Sequence, residues 1–170
     1  MPPSELKRPV SLSMIGSSGV DVMVRATPGE CAAVAARMNL PAIRSLECCF
    51  HLALEDDGVS VFARGCLRAL VVRICVVSTE EFEVAVEDEF EIRFVPAGKV
   101  RVDLDPDEVD EIPYEVGKID LGEAAAEQLG LVLDPYPRMD GVAMPDYDQS
   151  EHAPQFSIRA RQPRLNKIRR

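Results

Sequence analysis

The stretch that most restricts the fold is residues 59–95, where two long runs of alternating apolar and polar residues meet at Cys75-Val76-Val77-Ser78. Side chains of a strand point to opposite faces in turn, so a period of two kept over this length commits both runs to strands. The short connection makes them antiparallel neighbours. In the second run Phe82, Val84, Val86, Phe90, Ile92 and Phe94 alternate with Glu81, Glu83, Glu87, Glu89, Glu91 and Arg93. That strand therefore has one buried face and an outward face that is almost wholly acidic. The first run is apolar on both sides between Cys66 and Val72, the pattern of a central strand covered on both faces there, and Gly65 reads as a bend or bulge.

A third strand precedes these, because Leu46, Cys48, Phe50, Leu52 and Leu54 occupy alternate positions, and Glu55-Asp56-Asp57-Gly58 supplies hairpin chemistry after it. On that strand Cys48 faces the core and Cys49 the other side, so the adjacent pair cannot hold one metal together. Residues 8–15 and 20–26 read as two short strands of an opening hairpin, joined by Gly16-Ser17-Ser18-Gly19. Thr27-Pro28-Gly29-Glu30 begins a helix with a capping box and proline in its first turn. This helix runs to about Met38 with Cys31, Val34, Ala35 and Met38 on one face. A second helix starts at Asp120, with Glu123 closing its capping box and Leu121, Ala125, Leu129 and Val132 as its apolar stripe, and Asp134-Pro135-Tyr136-Pro137 stops it. Between Pro96 and Gly117 the periodicity dissolves into an acidic loop. Asp103, Asp105 and Asp107 suggest calcium, but an EF-hand loop needs Gly at its sixth position and a carboxylate at its twelfth, where Glu108 and Tyr114 stand; a solvated charge run is the better reading. Together these elements give an α+β fold: an antiparallel meander, able to curl toward a barrel, with two short helices packed on it. The domain covers residues 1–139, and residues 140–170 form a flexible basic tail.

Charge divides the chain in the same way. The 170 residues carry a net −10, yet residues 151–170 hold Arg159, Arg161, Arg164, Lys167, Arg169 and Arg170 against one acid, a net +5 that leaves −15 for residues 1–150. The acidic body repels a phosphate backbone and suits basic proteins, whereas the six basic residues of the tail are candidate RNA contacts. No apolar run approaches the ~20 residues that span a bilayer. The five cysteines include no Cys-x-x-Cys spacing, and Lys7, Arg8 and Pro9 break the N-terminal apolar pattern. Free thiols in a cytoplasmic chain with no membrane partner follow from this. Only two histidines, His51 and His152, are present, neither at a metal-ligand spacing, and Gly16-Ser17-Ser18-Gly19 lacks the Lys-Ser/Thr of a phosphate loop. With no identifiable base for a Ser or Cys nucleophile, the residues point to a non-enzymatic protein without cofactor or metal.

Gly65-x-Leu67-x-Ala69, Cys75-Val76-Val77-Ser78 and the alternating strand to Phe94 resemble the YceD family. So do Ile119-Asp120-Leu121-Gly122-Glu123, Glu127-Gln128-Leu129 and Leu133-Asp134-Pro135-Tyr136-Pro137-Arg138, in the form typical of alphaproteobacterial members. The likeness covers roughly residues 8–139, with Gly65, Cys75, Asp120, Leu121, Glu123, Glu127, Leu129, Asp134, Pro135, Tyr136, Pro137 and Arg138 as the family motif. It implies a cytoplasmic, non-enzymatic factor for synthesis, processing or stability of the large-subunit (23S) ribosomal RNA. The family's molecular mechanism does not carry over; the partner expected from the charge division is a ribosomal protein or assembly intermediate, with rRNA reached through the tail. Many members have two cysteines flanking two residues at the turn; here Ser78 takes the second place, so no cysteine-pair metal or redox role transfers. Cys75 then reads as a buried turn residue that keeps two strands in register. Tyr136 and Arg138 have two readings: a helix stop packed back on the sheet with Tyr136 in a groove, or a partner-binding patch. Arg64 and Arg68 share a strand face and read as solvated or paired with Glu83 or Glu87 rather than bound to RNA. The leading function is an assembly factor whose body binds protein and whose tail touches rRNA; the alternative is an acidic adaptor with no direct RNA contact.

Overall fold

The computed structural model describes residues 5–100 and 108–143. The basic residues Arg159, Arg161, Arg164, Lys167, Arg169 and Arg170, and the run Asp103 to Asp107, lie outside the described residues. In chain order the elements are β1 (Pro9–Ser11), β2 (Val20–Arg25), α1 (Pro28–Arg37), β3 (Ala42–Leu54), β4 (Val61–Ile74), β5 (Glu81–Pro96), β6 (Asp110–Tyr114), β7 (Lys118–Asp120) and α2 (Leu121–Val132). The fold is α+β. A five-stranded sheet has the order β2-β3-β4-β5-β6, and β1 pairs with β7 in a separate two-stranded ladder.

The long alternating runs become the centre of the sheet, as their period dictates. β3, β4 and β5 form a meander with β4 between its sequence neighbours, and β4 pairs with β5 from Val61↔Phe94 to Ile74↔Glu81. Leu46, Cys48, Phe50 and Leu52 of β3 face the core, while Cys49 is exposed. Both helices cover this same face: Cys31, Val34 and Ala35 of α1 and Leu121, Ala124, Ala125, Ala126 and Leu129 of α2 enter one cluster with Phe50, Leu67, Ile92 and Phe94. The capping box of α1 is complete, Thr27 Oγ1 accepting from the Glu30 amide and Glu30 accepting from the Thr27 amide.

Five expectations change. The opening hairpin does not form, although Gly16 to Gly19 does reverse the chain: Gly19 has φ +82° and its amide donates to the Gly16 carbonyl. Residues Leu12–Met14 form a 3-10 turn, and β1 pairs antiparallel with β7, Val10 opposite Ile119. The acidic segment after Pro96 contains β6, which runs parallel to β5, so the sheet is mixed. The sheet also stays open, with β2 and β6 as its edges, and does not close into a barrel. Gly65 sits in unbroken ladders on both sides, opposite Phe50 and Phe90; the register shift falls between Ile43 and Ser45 of β3. A Cβ on Gly65 would lie 2.0 Å from Phe90 Cζ, so glycine makes room for two rings that meet edge to face at 5.7 Å across it. Lastly, β4 is covered on both faces only near its end, where Val71 and Val72 are both buried; before that, Cys66 and Leu70 are half-buried on the second face, beside exposed Arg64 and Arg68.

That open face is less acidic than β5 alone suggests, because neighbouring strands place arginines opposite the glutamates. Arg64 pairs with Glu91, Arg68 with Glu87, Arg44 with Glu83 and Arg25 with Glu47. Exposed pairs of this kind contribute little stability each; their effect is to set register and neutralise the face.

A more consequential pair joins the N-terminal segment to α1. Arg8 reaches both carboxylate oxygens of Glu30, at 2.8 and 2.9 Å, and also the Arg25 carbonyl. The Arg8 hydrogen bonds, followed by the Thr27 amide, hold the Glu30 carboxyl at about 2, well below its ordinary 4.5. A carboxyl with a depressed folded pKa adds stability that is fully present above about 4.5 and is lost as pH falls through about 2. Glu30→Gln is therefore expected to be less stable than the parent at pH 7, with the difference shrinking from pH 4.5 downward. Urea denaturation at a series of pH values checks this, and a gap that persisted unchanged at pH 2 would refute it.

Candidate functional site

The β4–β5 turn and the segment after α2, joined by hydrogen bonds that span 61 to 64 residues of sequence, are built into one structure. The turn is closed by the Cys75 amide donating to the Glu80 carbonyl and the Thr79 amide to the Cys75 carbonyl. Thr79 takes a left-handed φ of +61°. Within it Cys75 is wholly buried, and its Sγ accepts the amide of Ser78 at 3.4 Å and that of Met139 at 3.5 Å. These N–H groups, Met139 first, bring the thiol down to about 7 against the upward push of burial. Cys75 thus acts as an acceptor that ties the C-terminal segment to the turn, beyond the register role its sequence position suggested.

Three further bonds complete the junction. Arg73 Nη2 donates to the Asp134 carbonyl at 2.6 Å, the Val76 amide to the Pro137 carbonyl at 3.0 Å, and the Tyr136 amide to Asp134 Oδ1 at 2.8 Å. The prolines at 135 and 137 have no amide to donate and keep the chain extended after α2, so carbonyls and the few remaining amides make these contacts. Between the segment and the sheet lies a groove of about 300 Å³ walled by Phe82, Val84, Leu133, Pro137 and Arg138. Pro137 packs at this groove, whereas Tyr136 is 70% exposed, which overturns the reading in which Tyr136 fills it. Ile74 and Val76 beside the turn are also exposed.

The helical part of the motif lies behind this junction. Asp120 Oδ1 accepts from the Gly122 and Glu123 amides and also from the Arg8 amide, so one carboxylate both caps α2 and anchors the chain entering β1. The Glu123 carboxylate does not complete the expected box; it receives Arg37 Nη1 at 2.9 Å and locks α2 to α1. Leu121 and Leu129 are buried, and Glu127 is exposed. Desolvation, then Glu123, raises the Glu127 carboxyl above its ordinary value. Gly65 is not part of the junction: it lies ten residues up β4 from Cys75, roughly 33 Å at 3.3 Å per residue. Among the described residues no group of three or more His, Cys, Asp or Glu could hold a metal ion. Arg73 and Met139 were the contributors least visible in the sequence, since a guanidinium-to-carbonyl bond and an amide-to-sulfur bond leave no periodic trace.

The family model described as Large ribosomal RNA subunit accumulation protein YceD matches residues 63–163. The chain belongs to the YceD family. The matched span holds both halves of the junction, Cys75 and Asp134 to Arg138, together with the whole of α2. No curated protein and no solved structure matches the chain. YceD proteins are non-catalytic. No helix among the described residues is long and apolar enough to cross a membrane.

Proposed function

We propose that this YceD protein supports accumulation of the large-subunit ribosomal RNA as a binding factor in ribosome assembly: its acidic body engages a basic ribosomal protein and its C-terminal residues contact rRNA. The observation that carries the reading is the family match over residues 63–163. Charge supports the division of labour, since residues 1–150 carry −15 and the last twenty +5. A body of that sign attracts cationic protein, while Arg159, Arg161, Arg164, Lys167, Arg169 and Arg170 can each neutralise a phosphate. On the body the contact is assigned to the Asp134 to Arg138 segment, where Tyr136 stands exposed beside a groove; a tyrosine so placed is a common anchor of interfaces. The cytoplasm, where ribosomes assemble, is the compartment this reading requires.

Deleting residues 156–170 is expected to weaken association with precursor large subunits and to lower the slope of log affinity against log salt by up to about 4, at about 0.7 per phosphate contact on single strands. Tyr136→Ala is expected to weaken the protein contact with no change in that slope. Should the deletion leave both affinity and slope unchanged while partners survive nuclease treatment, the chain is an acidic adaptor without RNA contact. The total of −10 keeps that second reading in view.

A further inference from the structure

The face of the sheet that the helices leave open is concave, with a hollow of about 900 Å³ over β2 to β5. One cross-strand row in it is chemically unlike the ion-paired rows around it. Met23 of β2 stands opposite Cys49 of β3, Cys49 opposite Cys66 of β4, and Cys66 opposite Glu89 of β5. Residues directly opposite one another project from the same face, so three sulfur-bearing side chains line up across three strands. Met23 Sδ and Cys49 Sγ are already 3.6 Å apart. All three residues line the hollow; Met23 is half exposed, Cys49 exposed and Cys66 half-buried.

We infer that Met23, Cys49 and Cys66 form a binding site for a soft monovalent cation, copper(I) or silver(I). Thiolate and thioether sulfur select soft ions of this class over zinc, calcium or magnesium. With metal–sulfur bonds of about 2.3 Å, two sulfurs 3.6 Å apart can share one ion without either strand moving. On binding, each thiol gives up its proton, and the two thiolates leave a monovalent ion with one net negative charge. Glu89, opposite Cys66 at the end of the row, has no ion-pair partner among the described residues. Its glutamate neighbours Glu87 and Glu91 are engaged by Arg68 and Arg64. His51, on the next row, is not counted as a ligand: its Nδ1 is held by Asp21 at 2.6 Å and its Cε1 and Nε2 lie against Gly19. Cys48 faces the core, where burial pushes its thiol up to about 12, and serves as the inert control.

The test is titration of the reduced full chain with copper(I), in competition with a chromophoric chelator. One equivalent should bind, with a thiolate-to-metal ultraviolet band. Cys49→Ser and Cys66→Ser should each lose at least about 100-fold in affinity and Met23→Leu about tenfold, whereas Cys48→Ser should bind as the parent does. X-ray absorption of the loaded parent needs no variant to fold and should show sulfur neighbours only. Oxygen or nitrogen neighbours, equal affinity in the Cys49→Ser protein, or conversion of Cys49 and Cys66 to a disulfide without metal uptake would overturn the inference.

Discussion

Phe50→Ala is expected to lower stability by about 3–5 kcal/mol, the range for removing a phenylalanine from a tightly packed interior. Phe50 is 1% exposed and sits between the helices and the sheet, and its ring meets Phe90 over the bare Cα of Gly65. The residue that could fill the resulting hole is a glycine, which has no side chain to move in, so the cavity should persist. Phe90→Ala removes a half-buried ring and should cost less. Chemical denaturation of the two variants, analysed at constant m, reads both values. A loss under 1 kcal/mol for Phe50→Ala would mean that the site collapses or that the rings do not pack as described.

Gly122→Ala should destabilise by about 2 kcal/mol or more, against the direction that helix propensity alone predicts. In an exposed helix interior this exchange gains up to about 1 kcal/mol. Here a Cβ would lie 2.1 Å from the Leu6 carbonyl oxygen and 2.7 Å from its carbon. The obstacle is backbone, and backbone on both sides is fixed, since Asp120 takes the Gly122 amide and Leu121 donates to the Arg8 carbonyl. Overpacking of this kind costs about 1–3 kcal/mol or more. Relief must come from residues 6–8 moving away, so amide exchange should quicken at β1 and β7 while the β3–β4–β5 ladder keeps its protection. An unchanged exchange pattern with unchanged stability would contradict the close approach.

How much of this was legible in the sequence depended on whether a signal was local. Alternation placed β3, β4 and β5 and identified which of Cys48 and Cys49 enters the core, because a strand's period of two acts residue by residue. The capping residues Thr27 and Asp120 were visible for the same reason. What failed were questions of partnership. Gly16 to Gly19 states that the chain turns, not what the preceding strand pairs with, and β1 finds β7 more than a hundred residues away. Asp110–Tyr114 carries a proline and two acids over five residues, too short and too polar for periodicity; its strand character comes from β5 offering an edge, and Tyr114 donating to the Val59 carbonyl helps hold it there. Glu123 fits a capping box by spacing, yet Arg37 of another helix takes its carboxylate. At the site, the sequence identified the residues on each half but not their meeting, which depends on amide-to-sulfur and guanidinium-to-carbonyl bonds.

The pairing of β1 with β7 also orders events in time. A chain emerging from a ribosome exposes residues 9–11 first and residues 118–120 last of the sheet partners, and domains fold from the N-terminal side as synthesis proceeds. The β2–β5 meander can form while β1 still has nothing to pair with. Only after α2 has been synthesised can Asp120 cap it, receive the Arg8 amide and draw the first strand in. The beginning of the chain is thus the last part of the body to be secured, and such long-range closure slows the final step of folding relative to the hairpins. A nascent chain halted before residue 118 should carry a formed meander and an N-terminal segment still open to proteolysis.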